Sequence, residues 1–176
     1  MVQVHDKKFK VYIPKEELRE IVSRLGKEIS ADMKGKQPLI CPVLTGSFVF
    51  AADLVREFDF DAPVSFVKYT SYSGTQSTGT VKVGLPFPTD CTGKDVLIIE
   101  DIVDTGISME FMLNELRKLN PASIKVCTLL FKPSSFQKDF KVDYIGKAIP
   151  NDFVLGYGLD YDDYGRLLPD LYVIDE

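Results

Sequence analysis

The chain has 176 residues, of which 45% are hydrophobic and 27% charged, with a formal net charge of −5. That length and apolar content suit one domain with a full core and argue against disorder. The acidic balance argues against nucleic acid or an anionic membrane as a general partner, although a small anionic ligand needs only local donors.

Cys41, Cys91 and Cys127 are odd in number and widely spaced, and His5 is the single histidine. A Cys/His zinc site is therefore not expected, and the thiols read as reduced and buried, as in a cytosolic protein. Residues 1–8 hold no apolar leader, and no apolar run is long enough to span a bilayer.

Phe9 to Ile13 alternates and predicts a strand, placed at an edge. Pro14 then opens a helix with Glu16 and Glu17 in its first turn, where the helix dipole favours acids. Leu18, Ile21, Val22, Leu25 and Ile29 follow at helical spacing, and Gly35 ends the helix. Pro38 to Leu44 reads as a strand whose prolines need positions free of ladder donors. Thr45-Gly46-Ser47 leads into a helix from Phe48 to Phe58, a strand–loop–helix geometry that suits an anion. Val64 to Tyr69 is a strand. Thr70 to Thr80 is small, polar and hydroxyl-rich, so it reads either as a hairpin tip or as a lid over an active site. Val81 to Gly84 returns as a strand.

Val96-Leu97-Ile98-Ile99 is the apolar run expected of a strand buried on both faces. Glu100 and Asp101 follow at its carboxyl end, then Asp104-Thr105-Gly106-Ile107-Ser108, then an amphipathic helix from Met109 to Leu119. The small-residue loop at a helix N-terminus offers N–H groups to a phosphate. The two carboxylates would repel a phosphate placed on them and suit hydroxyls or a metal. A phosphorylated ribose carrying a metal-bound polyphosphate satisfies both halves. Further strands run from Ser123 to Phe131, from Asp143 to Ile149 and from Leu171 to Ile174. Strands separated by helices predict an α/β fold with a mainly parallel twisted sheet flanked by helices, and ligands at the strands' carboxyl ends.

The pattern Ile98-Ile99-Glu100-Asp101-Ile102-Val103-Asp104-Thr105-Gly106 resembles the phosphoribosyl-pyrophosphate (PRPP) motif of the purine and pyrimidine phosphoribosyltransferases. Val43 to Ser47, the Ser71-Tyr72 loop with Gln76 to Gly79, Lys132-Pro133 and Phe153 to Tyr161 appear in the order expected of the hypoxanthine-guanine branch of that family. The resemblance spans roughly Phe9 to Ile174. It implies a single domain over 1–176, with a core at about 36–148, a small hood from the N-terminal segment and about 149–176, and a flexible lid loop. It implies transfer of the phosphoribosyl group from PRPP to a 6-oxopurine base with Mg²⁺, in the cytoplasm, by a homodimer or homotetramer.

By position, the resemblance gives Glu100 and Asp101 the ribose hydroxyls and the metal, and makes Asp104 a general base or acid beside the purine imidazole ring. Asp104, Thr105, Gly106, Ile107 and Ser108 would hold the 5-phosphate. Leu44, Thr45 and Gly46, with a cis Leu44–Thr45 peptide, and Arg166 would contact pyrophosphate. Ser71 and Tyr72 would close over the reacting centre. Lys132, Phe153 and Val154 would bind the base, and Asp160 would sit beside it and hold a second magnesium ion through water. Ile107 departs from some relatives, which carry lysine there. Taken singly, Lys132 is a surface lysine, Phe153 a core residue, and Asp160 with Arg166 a solvated pair; their order beside the central motif gives them a role. Two other readings stay open: an enzyme for xanthine or another base, and a regulatory sensor of PRPP or nucleotides on the same fold.

Overall fold

In the computed structural model, which describes residues 1–71 and 81–175, the chain opens with a hairpin. β1 (Val2–Val4) and β2 (Lys7–Ile13) pair antiparallel and turn at His5, whose φ is 52°. α1 (Lys15–Met33) follows directly, with Pro14 as N-cap and both first-turn acids in place. Its buried face is Leu18, Ile21, Val22, Leu25, Ile29 and Met33, the stripe expected from the spacing. β3 (Pro38–Pro42), α2 (Phe48–Val55) and the antiparallel pair β4 (Lys68–Ser71) and β5 (Val81–Leu85) come next. β6 (Asp95–Val103), α3 (Ile107–Arg117), β7 (Ser123–Phe131), β8 (Tyr144–Ala148), β9 (Val154–Leu155) and β10 (Leu171–Ile174) complete the order.

β3, β6, β7 and β8 form a parallel sheet in that order, with Leu39 opposite Val96 and Ile98 opposite Val126. Alternation along β6 puts one core on each face of this sheet. Leu97 and Ile99, with Ile40, Cys127 and Leu129, face α1 and α2. Val96 and Ile98, with Leu39, Cys41 and Val126, face α3. The four-residue apolar run therefore feeds both cores, as β3 and β7 on either side of it do. Leu97→Ala should cost about 2–5 kcal/mol, because a fully buried leucine leaves a cavity that its neighbours only partly fill. Denaturant midpoints of the two proteins check this, and a midpoint shift worth under about 1 kcal/mol would contradict the two-core packing.

α1 is pinned along β8: the Arg24 guanidinium donates to the carbonyls of Ile145 at 3.1 Å and Gly146 at 2.7 Å, and Lys147 pairs with Glu17. A second sheet, antiparallel throughout, has the order β1-β2-β10-β9 and so joins the chain's two ends. All three cysteines are buried with free thiols. Among the described residues no helix is long and apolar enough to cross a membrane.

Three expectations need correction. β2 is not an edge strand, because β1 pairs along its outer side. β1 has only three residues and no periodicity to read. The helix expected to reach Phe58 ends at Val55, and Phe58 stacks on Phe60 in the following turn, with ring centroids 4.8 Å apart. The strand expected over 64–69 is divided. Its first part bridges β3 in parallel, with Ser65 N donating to Ile40 O and Val67 N to Pro42 O. From Lys68 the chain leaves β3 and pairs with β5. Tyr72 and residues 73–80, the rest of the expected lid, lie outside the described residues.

Candidate active site

β6 emerges from the core at its carboxyl end. Val96 to Ile99 are buried, Glu100 to Ile102 are partly exposed, and Val103 is buried again. The chain then turns through Asp104 and Thr105 to Gly106, whose φ of 84° favours glycine, and α3 starts at Ile107. Ile107 N donates to Thr105 Oγ1 at 3.4 Å. The turn encloses a cup of about 240 Å³ lined by Glu100, Asp104, Thr105, Gly106, Ser108 and Met109 together with Ile102 and Val103. Backbone N–H groups, two hydroxyls and a helix N-terminus share this cup, which is what a phosphate needs.

A second cavity of about 270 Å³ adjoins the cup through Ile102 and Asp104 and is otherwise lined by Asp101, Lys132, Phe153, Val154, Leu159 and Asp160. Lys132 follows β7, and its N–H donates to Val103 O at 3.0 Å, so the ends of β6 and β7 are tied together. Lys132 is 8% exposed and its Nζ donates to Asp104 Oδ2 at 3.1 Å. Thus an enclosed ammonium and a carboxylate stand side by side where the two cavities meet. Phe153 leaves 45% of its surface open, and Val154 is buried.

Burial raises the pKa of Glu100 well above the ordinary carboxylate range, and the charge of Asp101 adds to the effect. Burial also raises Asp101, while hydrogen bonds from Glu100 and from the Ile102 N–H and the Arg166 charge pull the other way. Both residues keep some open surface, yet their carboxyl groups are ringed by protein. Two adjacent oxygen donors that are costly to ionise fit a hard divalent cation, whose charge would relieve the repulsion. Asp160 does not join them in one chelating group. Its Oδ1 is paired with Arg166 at 2.9 Å and its Oδ2 accepts from Asp163 N at 2.8 Å. Among the described residues no cluster of three His, Cys, Asp or Glu side chains has metal-ligand spacing.

The Leu44–Thr45 peptide is cis. The next residue, Gly46, is pressed between two partners: a methyl there would lie 1.6 Å from Asp101 Oδ2, and one on Gly158 would lie 2.2 Å from Gly46 O. Arg166 donates to Gly158 O at 2.9 Å, so Asp101, Gly46, Gly158, Arg166 and Asp160 form one connected rim. A larger hollow of about 870 Å³ shares Thr45 and Arg166 and is otherwise lined by β1, Phe48 and the turn at 163–168. Of the residues singled out in the sequence, Ser71 closes β4, and Tyr72 lies outside the described residues. The others line the two cavities, this rim or the hollow, except Leu44, which only precedes Thr45 in the chain, and Ile107, whose side chain is exposed.

Residues to which the sequence assigns no role also shape the site. Phe136 covers Gly106, so that a methyl there would come within 2.7 Å of the ring, and Gln137 N donates to Thr105 O at 3.2 Å. Tyr157, with φ of 48°, donates to Asp53 Oδ2 at 2.5 Å and anchors the segment after β9 to α2. Burial, and then Asp53, push its hydroxyl pKa up.

The phosphoribosyl transferase domain family matches residues 14–162. Over the whole of both chains, the hypoxanthine-guanine phosphoribosyltransferase of Aquifex aeolicus is 36% identical. This chain belongs to the hypoxanthine-guanine phosphoribosyltransferase family. Solved phosphoribosyltransferases of the family carry the same fold from end to end. The hypoxanthine phosphoribosyltransferase of Staphylococcus aureus is 36% identical, covers 97% of this chain and 92% of its own, and superposes with a TM-score of 0.90. That of Trypanosoma cruzi, solved with the product IMP, is 36% identical with a TM-score of 0.86 and covers 99% of this chain and 98% of its own. The structural likeness thus includes β1 and β10, which fall outside the family match at 14–162.

Proposed function

We propose that this protein transfers the 5-phosphoribosyl group of PRPP to hypoxanthine or guanine, giving IMP or GMP and pyrophosphate, as a cytosolic enzyme of purine salvage. The observation that carries this reading is the Lys132–Asp104 pair, 3.1 Å apart, at the join of a phosphate cup and a second cavity. A donor-only ammonium beside a carboxylate complements a 6-oxopurine edge, where the 6-oxo acceptor neighbours an imidazole ring nitrogen that can carry a proton.

In this reading Lys132 donates to the 6-oxo group, Phe153 stacks on the ring and the Val154 backbone meets its pyrimidine edge. Asp104 accepts the proton leaving the imidazole ring as the new bond forms. Thr105, Ser108 and the N–H groups of 104–108 hold the 5-phosphate; Ile107 adds a backbone donor and no charge. Glu100 and Asp101 hold the ribose hydroxyls. Leu44, Thr45, Gly46 and Arg166 hold the departing pyrophosphate. Ser71 and Tyr72 exclude water that would otherwise hydrolyse PRPP. Glu100 and Asp101 would also hold magnesium, with Asp160 serving a second ion through water, and the metal supplies positive charge to the leaving group. Residues 36–148 make the core and the two chain ends the hood, and the enzyme works as a homodimer or homotetramer.

The test is a panel of hypoxanthine, guanine, xanthine, adenine and orotate with PRPP and magnesium, followed by nucleotide formation. IMP and GMP are the expected products. Turnover of xanthine or orotate alone, or PRPP binding without any turnover, would replace this reading by one of its rivals. Removing the divalent metal with EDTA should abolish turnover, and adding magnesium back should restore it. Undiminished rates in metal-free buffer would remove Glu100 and Asp101 from their metal role.

A further inference from the structure

Phe153 carries the stacking role in the reaction proposed above, yet nearly half of its surface is open. A ring in that position helps a ligand most when its orientation is set before the ligand arrives. Tyr161 meets it edge-to-face, with centroids 5.7 Å apart and ring planes at 81°, and Phe9 tilts against it at 6.3 Å.

Tyr161 is itself held from the far end of the chain. Its hydroxyl donates to Asp6 Oδ1 at 2.8 Å, and the His5 ring lies edge-on to it at 5.5 Å. His5 and Asp6 are the two tip residues of the β1–β2 hairpin, because Val4 pairs with Lys7. Behind Tyr161, its backbone exchanges two hydrogen bonds with Tyr164 across Asp162 and Asp163, whose φ values are 48° and 67°. Both central residues of that turn are left-handed, as a type I′ turn requires, so the direction in which Tyr161 leaves the chain is fixed.

We propose that Tyr161, anchored by Asp6 at the tip of the N-terminal hairpin, is a positioning residue that presents the Phe153 ring to the purine. The inference rests on the base-stacking role given to Phe153. It assigns a task to β1 and its turn, which lie outside the family match. Losing the support leaves the phosphate cup and the Lys132–Asp104 pair intact, so the defect belongs to base binding alone. The immobilisation of one side chain sets its scale at about two- to tenfold in KM for the base.

Steady-state kinetics with hypoxanthine, PRPP and magnesium test it. Tyr161→Ala should raise KM for hypoxanthine about two- to tenfold, with KM for PRPP and kcat within about twofold of wild type. Tyr161→Phe, which keeps the ring, should recover most of the loss. Asp6→Ala, at an exposed turn, should shift KM for hypoxanthine in the same direction by a smaller factor, and it decides the matter if Tyr161→Ala does not fold. Unchanged KM for hypoxanthine in the variants that fold overturns the proposal. So does an equal rise in both KM values, which marks a general loss of structure. A wild-type enzyme that makes no IMP overturns the function itself, and this role with it; an active wild type with unresponsive variants overturns only the role.

Discussion

Adenine is expected to be converted about 10⁴-fold or more less efficiently than hypoxanthine, measured as kcat/KM with PRPP and magnesium. Hydrogen-bond polarity sets the difference. Lys132 is enclosed, and its ammonium has donors and no acceptor. Hypoxanthine and guanine bring a 6-oxo acceptor to it, whereas adenine brings a 6-amino donor. Setting donor against donor leaves an enclosed charge without its new partner, at a cost of about 1–3 kcal/mol or more. If the Val154 carbonyl faces the ring N1–H of a 6-oxopurine, as proposed, it adds a second mismatch, because N1 of adenine carries a lone pair there. Asp104 does not rescue the pair. Once its carboxylate engages the imidazole edge, it shares its capacity with the base. Lys132→Ala should narrow the gap by losing activity on the oxopurines. Wild-type conversion of adenine within about tenfold of hypoxanthine would show that Lys132 does not read the 6-position.

Asp104→Asn should lower kcat by about 10²–10⁴-fold while leaving KM for PRPP close to wild type. The amide is the same size and its oxygen can still accept from Lys132 Nζ, so the geometry of the two cavities survives. What is lost is the ability to take up the base's proton. Glu100→Gln combined with Asp101→Asn should do the reverse and chiefly weaken PRPP binding. Single-turnover measurements belong beside the steady-state ones, since slow product release hides a chemical defect. An Asp104→Asn enzyme with wild-type rates in both experiments would falsify the proton-acceptor role.

The parts of the fold that could be read in advance are those whose burial pattern is local. The run 96–99 announces a strand with two covered faces, and it divides the two cores. The α1 stripe is equally plain. Gly106 and the turn before α3 follow from the small residues between strand and helix. What was hidden depends on packing between distant segments. β1 is too short to carry a pattern and exists because β2 offers it an edge. The change of partner at Lys68 reflects where β3 ends, which the sequence of 64–69 does not encode.

The candidate site divides in the same way. Its chemical types and order were legible through the motif and its resemblance. Two of its pairings were not: Lys132 with Asp104 and Tyr157 with Asp53 join residues brought together by strand ends and turns. Asp160, expected to reach a second ion through water and not to join Glu100 and Asp101, is engaged by Arg166 and by the Asp163 N–H.

The packing of Gly46 and Gly158 makes the rim a guide to which glycines an engineered library should leave alone. Gly35 and Gly93 have positive φ but nothing within 4 Å of a would-be side chain, so asparagine, which visits that backbone region readily, can replace them. Gly158 faces a backbone carbonyl, and any side chain there must push the 44–46 loop as a body. At Gly46 the nearest atoms are those of the Asp101 carboxylate. Alanine there displaces the carboxylate and leaves the cores untouched, so a screen that selects for soluble protein would keep it and one that selects for growth on a salvaged purine would discard it. Run side by side, the two screens would separate residues that build this protein from those that make it work, and Gly46 would fall wholly on the second side.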